Sequence, residues 1–249
     1  MTVIKFGSMA AIIAALSTVA NAQDSLKYST ISLGVGFNSI ENKDAFQSPY
    51  TYRGANMMFN ATYSNVRVKG HHIIDVNYTA GHIKSIVSPQ ARNELLLLNY
   101  DYLFKLKSRK GDGKFVPSLG LGLHTLISKT NYLPTIERPT SYLSAAVVMT
   151  FSGDMQYRFG NKNSLRLQFA IPVVGLTYRP DFEINGKSST AAASVSIANV
   201  FTFKLEYEYK LAPKLGLFAG YYYHYTMIDE PSQLVISQNI FLVGVRKKF

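Results

Sequence analysis

The five histidines of this chain are His71, His72, His82, His124 and His224. Imidazole titrates near neutrality and suits general acid–base work, and a serine beside it could serve as a nucleophile. His124 and Ser128 have the same parity, so on an extended chain they project to one side. Residues four apart on a strand lie roughly 13 Å from one another, too far for a direct nucleophile–base hydrogen bond. A partner from a neighbouring strand would be required, and the sequence identifies none. His124, His224 and Ser128 are therefore candidate binding residues, and no catalytic residue is assigned. His71 and His72 are adjacent, so their rings point to opposite faces and form no joint metal site. Neither a metal nor a cofactor is expected.

A second group is charged. Asp101, Lys105, Asp154, Arg158, Arg166, Lys204, Glu206, Glu208, Arg246 and Lys248 share the polar parity of their segments. Opposite charges at this density are expected to cross-link into a salt-bridge network.

The elements that must position these residues have a period of two. In SLRLQFAIPVV (164–174), Leu165, Leu167, Phe169, Ile171 and Val173 share one face, and Arg166, Gln168, Ala170 and Pro172 the other. In 194–211, Phe201, Phe203, Leu205, Tyr207 and Tyr209 oppose Thr202, Lys204, Glu206, Glu208 and Lys210. Such alternation predicts strands. About ten segments show it: 27–38, 52–65, 68–83, 92–107, 114–128, 141–159, 164–178, 192–211, 215–227 and 234–249. Many reach the ~9–11 residues that a tilted strand needs to cross a bilayer. The links NVRV, SRKGDG, GNKN and APK are short; those near 39–51, 84–91, 129–140 and 179–191 are longer. That asymmetry predicts an all-β, up-and-down antiparallel transmembrane barrel of about ten strands, with eight or twelve as alternatives.

The N-terminus predicts export. MTVIK is basic, MAAIIAALSTVA is apolar, and Ala20-Asn21-Ala22 has the A-x-A form of a signal-peptidase site. Residues 1–22 are expected to be removed, leaving a barrel domain over 23–249. The chain has no cysteine, so disulfides and thiolate metal sites are excluded. The net charge of +11 is spread over turns and alternating positions, not gathered into a tract that would grip nucleic acid.

Three features turn the apolar face outward. The opposite face mixes small residues with charges of both signs, as in Gly34, Gly36, Asp75, Asn77, Gly120 and Gly122, and so reads as a confined lumen. Aromatics precede the short links: Tyr100, Tyr102 and Phe104, then Tyr157 and Phe159, then Tyr207 and Tyr209. This is the placement of an interfacial girdle. The last segment alternates Phe241, Val243 and Val245 and ends on Phe249.

With that ending, GVRKKF, the chain resembles the bacterial outer-membrane β-barrel superfamily, and in particular small barrels of the Bacteroidota type. The resemblance implies that Phe249 is an assembly signal read by the barrel-assembly machinery. It also implies residence in the outer membrane of a Gram-negative bacterium, surrounded by its lipid. Lys247 departs from the family pattern, which favours an aromatic or apolar residue there. The expected function is a structural or surface-interaction role, with the lumen plugged by charge, binding at the loops 130–141 and 178–190, and the candidates His124, His224 and Ser128 at the outer mouth of the lumen. The alternatives are a narrow pore or small-solute transporter, an outer-membrane lipid-modifying enzyme or protease, and a soluble periplasmic barrel.

Overall fold

The computed structural model describes residues 27–45, 50–86, 90–106, 114–132, 140–180, 188–194, 198–229 and 233–249. The leader and the central parts of both aromatic loops lie outside the described residues.

Every element is a strand. In chain order they are β1 (Tyr28–Asp44), β2 (Thr51–Val66), β3 (Gly70–Lys84), β4 (Gln90–Lys105) and β5 (Phe115–Tyr132). Then follow β6 (Thr140–Phe159), β7 (Asn163–Pro180), β8 (Ser188–Ser194), β9 (Ala198–Ala212), β10 (Leu215–Ile228) and β11 (Leu234–Lys248). From β1 to β7 and from β9 to β11 each pairs antiparallel with the next, and β1 pairs with β11 to close the sheet. The short β8 pairs with the far end of β7, and β9 with its near end. Together they fill one position, so eleven segments make a barrel of ten positions. The segment expected over 192–211 falls on β8 and β9, with 195–197 outside the described residues. The β1–β11 pairing closes the sheet on itself, the condition for strands to stand in hydrocarbon.

The pleat sorts side chains as the alternation predicts, up to a point half-way along the strands. On β1, Ile31, Leu33, Val35 and Phe37 are exposed outward while Ser32 and Asn38 are buried inside. Further along, Ser39, Glu41 and Lys43 point outward and Ile40 is buried within. The same inversion occurs on β3, from outward Ile74 and Tyr78 to outward His82 and Lys84 over buried Ile83. It occurs again on β4, from Leu98 and Phe104 outside to Arg92 outside over buried Leu95. The half next to the short turns is apolar outside and polar inside. The half next to the long loops carries more polar residues outside, and inside it mixes apolar side chains with buried Asn42, Asn93 and Thr130. Ile40, Ile83, Leu95, Leu126, Ile228 and Ile236 belong to one buried cluster in that second half. At ~3.3 Å per residue and a tilt near 45°, a strand such as β1 rises roughly 40 Å along the axis, well beyond the ~25 Å of a bilayer's apolar band.

One irregularity redirects a side chain. Met149 pairs with Val174 but Thr150 pairs with Pro172, so Val173 is extra. Such a bulge reverses the parity beyond it. Val173 and Val174 are both exposed, and Thr177 and Arg179 turn inward.

Candidate functional site: the barrel lumen

The lumen is layered. Nearest the short turns, Arg166 grips Asp154 with Nε on Oδ1 at 2.7 Å and a second nitrogen on Oδ2 at 3.2 Å. Arg246 donates to Ser32 at 2.7 Å, Glu208 at 2.7 Å and Glu206 at 2.6 Å, and its guanidinium lies 5.1 Å from the Phe218 ring. Tyr222 also donates to Glu206. Both arginines are almost fully buried. Charges so deep are tolerated only when each is paired and its remaining valences are hydrogen-bonded.

The next layer centres on two aspartates. Asp75 accepts from Lys204, from Asn60 at 2.9 Å, from Thr62 at 2.7 Å and from Asn77 at 2.5 Å. Asp101 accepts from Ser152 at 2.6 Å and faces His124 Nε2 at 3.1 Å. Gly122 makes room for this group. A Cβ there would collide with Asp101 Oδ1 and come within 2.7 Å of Thr150 Oγ1. Gly122→Leu is therefore expected to destabilise the barrel by about 1–3 kcal/mol, measured by urea unfolding of the refolded protein.

Above lies His224, bonded to Thr202 at 3.1 Å and Thr226 at 2.9 Å. Then comes the apolar cluster, and beyond it Arg179 donates to Asp44 at 2.6 Å. The bulge in β7 makes this last contact available, so the sequence alternation did not reveal it.

The ten charged residues named from the sequence divide. Asp154, Arg166, Glu206, Glu208 and Arg246 form ion pairs among themselves, and Asp101 engages a histidine. Lys204 pairs with Asp75, a residue whose parity placed it inside the barrel but outside the expected network. Lys105, Arg158 and Lys248 make no ion pair among the described residues and surround a cavity at the short-turn end. His124 and His224 occupy the middle of the lumen, beneath the apolar cluster, and not the mouth where they were expected. Ser128 pairs along the sheet with Leu95 and Ser144 and hydrogen-bonds to neither imidazole among the described residues. The strand spacing alone accounts for that separation.

A serine–histidine contact does exist elsewhere. Ser64 Oγ lies 2.6 Å from His71 Nε2, and His71 Nδ1 lies 3.5 Å from Asp154 Oδ2. The signal was legible in the β2–β3 hairpin, whose tight link sets Val66 opposite His71 and leaves Ser64 diagonal to it. The order Ser–His–Asp is that of a hydrolytic triad. However, β2 is paired on both sides at Ser64, with Thr30 and Ile73, so the sheet commits its backbone amides. An oxyanion would have to be met by side chains.

At the C-terminus, Phe249 donates its backbone N–H to Ser29 O at 2.9 Å and its ring is exposed outward. Lys247, the residue that departs from the family pattern, lies over that ring at 5.3 Å. The aromatic girdle is also in place: His72 bonds Tyr100 at 3.0 Å, Tyr102 meets Phe104 edge-on, and Phe159 lies between Tyr157 and Tyr207.

No protein-family model matches the chain, and no curated protein does. Solved structures do match. The outer membrane protease OmpT from Escherichia coli aligns at 10% identity and a TM-score of 0.56, covering 94% of this chain and 100% of that one. The fold is that of an outer-membrane β-barrel. The translocator domain of the autotransporter NalP from Neisseria meningitidis aligns at 8% identity, TM-score 0.46, over 98% of this chain and 96% of that one. Neisserial surface protein A aligns at 10% identity, TM-score 0.40, over 88% and 97% respectively. At such identities the likeness concerns the fold alone.

Proposed function

We propose that the chain is an integral outer-membrane β-barrel of a Gram-negative bacterium, with a lumen that does not conduct and an outer half that projects as a surface-interaction scaffold. The observation that carries this reading is the inversion half-way along the strands. Outward Leu33, Val35, Phe59, Leu121, Phe241 and Val243 give a belt suited to lipid. Beyond the belt, the exterior gains polar residues such as Glu41, Lys43, Arg92 and Lys129, and the interior holds an apolar cluster packed among Asn42, Asn93 and Thr130, a plug suited to water outside and a packed core within. Below the plug, the Asp75–Lys204 pair crosses the lumen and the Arg246–Glu206 pair reaches from β11 past β10 to β9. Ten strands are also fewer than the 16–18 of a porin channel.

Residues 1–22 act as the export signal, and Phe249 as the mark read by the barrel-assembly machinery. The ending GVRKKF supports a kinship with small Bacteroidota-type barrels. The extracellular ligand would meet the long loops. Reconstitution in planar bilayers is expected to give no discrete conductance steps. Reproducible single-channel steps would overturn the sealed lumen in favour of a narrow pore.

A hydrolase is the second reading, favoured by the Ser64–His71–Asp154 chain. Covalent labelling by a fluorophosphonate that disappears in Ser64→Ala would support it, and a chain inert to the reagent would dismiss it. A protease site at the long-loop rim lacks support, because the described Asp–His pairs, His71–Asp154 and His124–Asp101, both lie below the apolar plug.

A further inference from the structure

The short-turn end of the barrel holds a cavity of about 450 Å³ beneath the ion-paired layer. Lys105, Arg158, Lys210, Lys214 and Lys248 line it, and they come from four different strands and one turn. Its two acids, Asp154 and Glu208, are already held by Arg166 and Arg246. None of the five cations has a carboxylate within ion-pair distance among the described residues. Lys105 Nζ instead donates to the backbone carbonyl of Arg67 at 2.6 Å, and Lys248 rests over the Tyr28 ring at 3.9 Å. Lys210 and Arg158 both repel Lys248, against a weaker attraction from Glu208, and Arg158 repels Lys105.

This differs in kind from the rest of the lumen, where carboxylates and cations are matched. Like charges gathered round one concavity raise the local potential and attract counter-ions. The volume falls within the ~300–1,000 Å³ usual for ligand pockets. Ammonium and guanidinium groups converging from several sides suit phosphoryl oxygens, which accept several charge-assisted hydrogen bonds at once. Ser64 and His71 add further polar atoms to the wall.

We propose that this vestibule is a binding site for a multiply charged phosphoryl anion. The anion is either a soluble polyphosphate-like solute or the headgroup of an anionic phospholipid. It occupies the space inside the ring of five cations, on the side of the barrel opposite the long loops.

The test is calorimetric titration of the full barrel in neutral detergent at low ionic strength, with phosphate, pyrophosphate and tripolyphosphate. Affinity is expected to rise with charge, tripolyphosphate binding at least about tenfold tighter than phosphate, and to fall as salt is added. The double variant Lys210→Glu/Lys248→Glu should lower tripolyphosphate affinity by about tenfold or more. Lys129→Glu, an exposed outward position on β5 near the long loops, should leave it unchanged. Heat-modifiable migration on SDS gels confirms that each variant is folded. Repeating the titration in nanodiscs separates the two sources. Weaker tripolyphosphate binding in phosphatidylglycerol than in phosphatidylcholine discs identifies a lipid headgroup as occupant; equal binding identifies a soluble anion. No binding of any of the three anions, or binding that the double variant leaves intact, overturns the proposal.

Discussion

Arg246→Ala is expected to lower the unfolding free energy of the barrel by about 3–5 kcal/mol, the usual cost of removing one partner from a buried ionic group. Arg246 is the shared donor for Ser32, Glu206 and Glu208, and it stacks on Phe218. Among the described residues, its loss leaves buried Glu206 with a hydrogen bond from Tyr222 and the more distant charge of Arg166, and Glu208 without a side-chain hydrogen bond. Urea titration in detergent or lipid, followed by heat-modifiable migration, measures the change. The comparison that isolates the cause is the triple variant Arg246→Met/Glu206→Gln/Glu208→Gln. It should recover a substantial part of the loss, because it removes the stranded charges as well as the arginine. If the triple variant were no more stable than Arg246→Ala, the penalty would lie in packing and not in charge.

The second large effect concerns the outer face. Val243 is exposed on β11, in register with Val35 on β1 and Ala219 on β10, near the centre of the apolar belt. Val243→Arg is expected to cost about 2–4 kcal/mol in a bilayer, the cost of arginine at the midplane of a lipid-facing strand. The matching substitution Ser39→Arg lies on the same face of β1 but beyond the belt, where Glu41 and Lys43 are its neighbours. It should cost far less, as most surface substitutions do. Equal effects at the two positions would contradict the membrane belt and favour a barrel wetted along its whole length. Measuring both in lipid vesicles and comparing the midpoints makes the test independent of the protein's absolute stability.

The inversion along the strands also explains why the two halves call for different experiments. In the short-turn half, stability depends on satisfying charge inside a narrow lumen. In the long-loop half it depends on packing Ile40, Ile83, Leu126 and Ile236 against one another, as in a soluble protein. The midpoint of β1 shows the change within four residues, from Phe37 outward and Asn38 inward to Ile40 inward and Glu41 outward. Both residues of each kind were visible in the sequence. A search for one continuous apolar face passes over the switch, because the period of two continues unchanged and only the sign of the two faces exchanges.

Much of this protein follows from local rules, and those rules act along the strand. Alternation assigned the lumen face of Asp75, Asp154, Arg166, Lys204, Glu206 and Arg246, and the short links assigned neighbouring strands to hairpins. Register within a hairpin is set by its turn, which is why the Ser64–His71 contact, seven residues apart, was within reach of sequence reasoning. Tertiary structure alone decided the contacts across the lumen. Lys204 meets Asp75 over 129 residues and Arg179 meets Asp44 over 135, whereas Arg246 meets Ser32 within the sheet, where β11 closes on β1. Closing the barrel brings such strands together, and the choice of partner depends on tilt and stagger, which no local pattern encodes. The bulge at Val173 is the sharpest case. One extra residue, unremarkable in SLRLQFAIPVV, reverses the parity beyond it and turns Arg179 inward to reach Asp44.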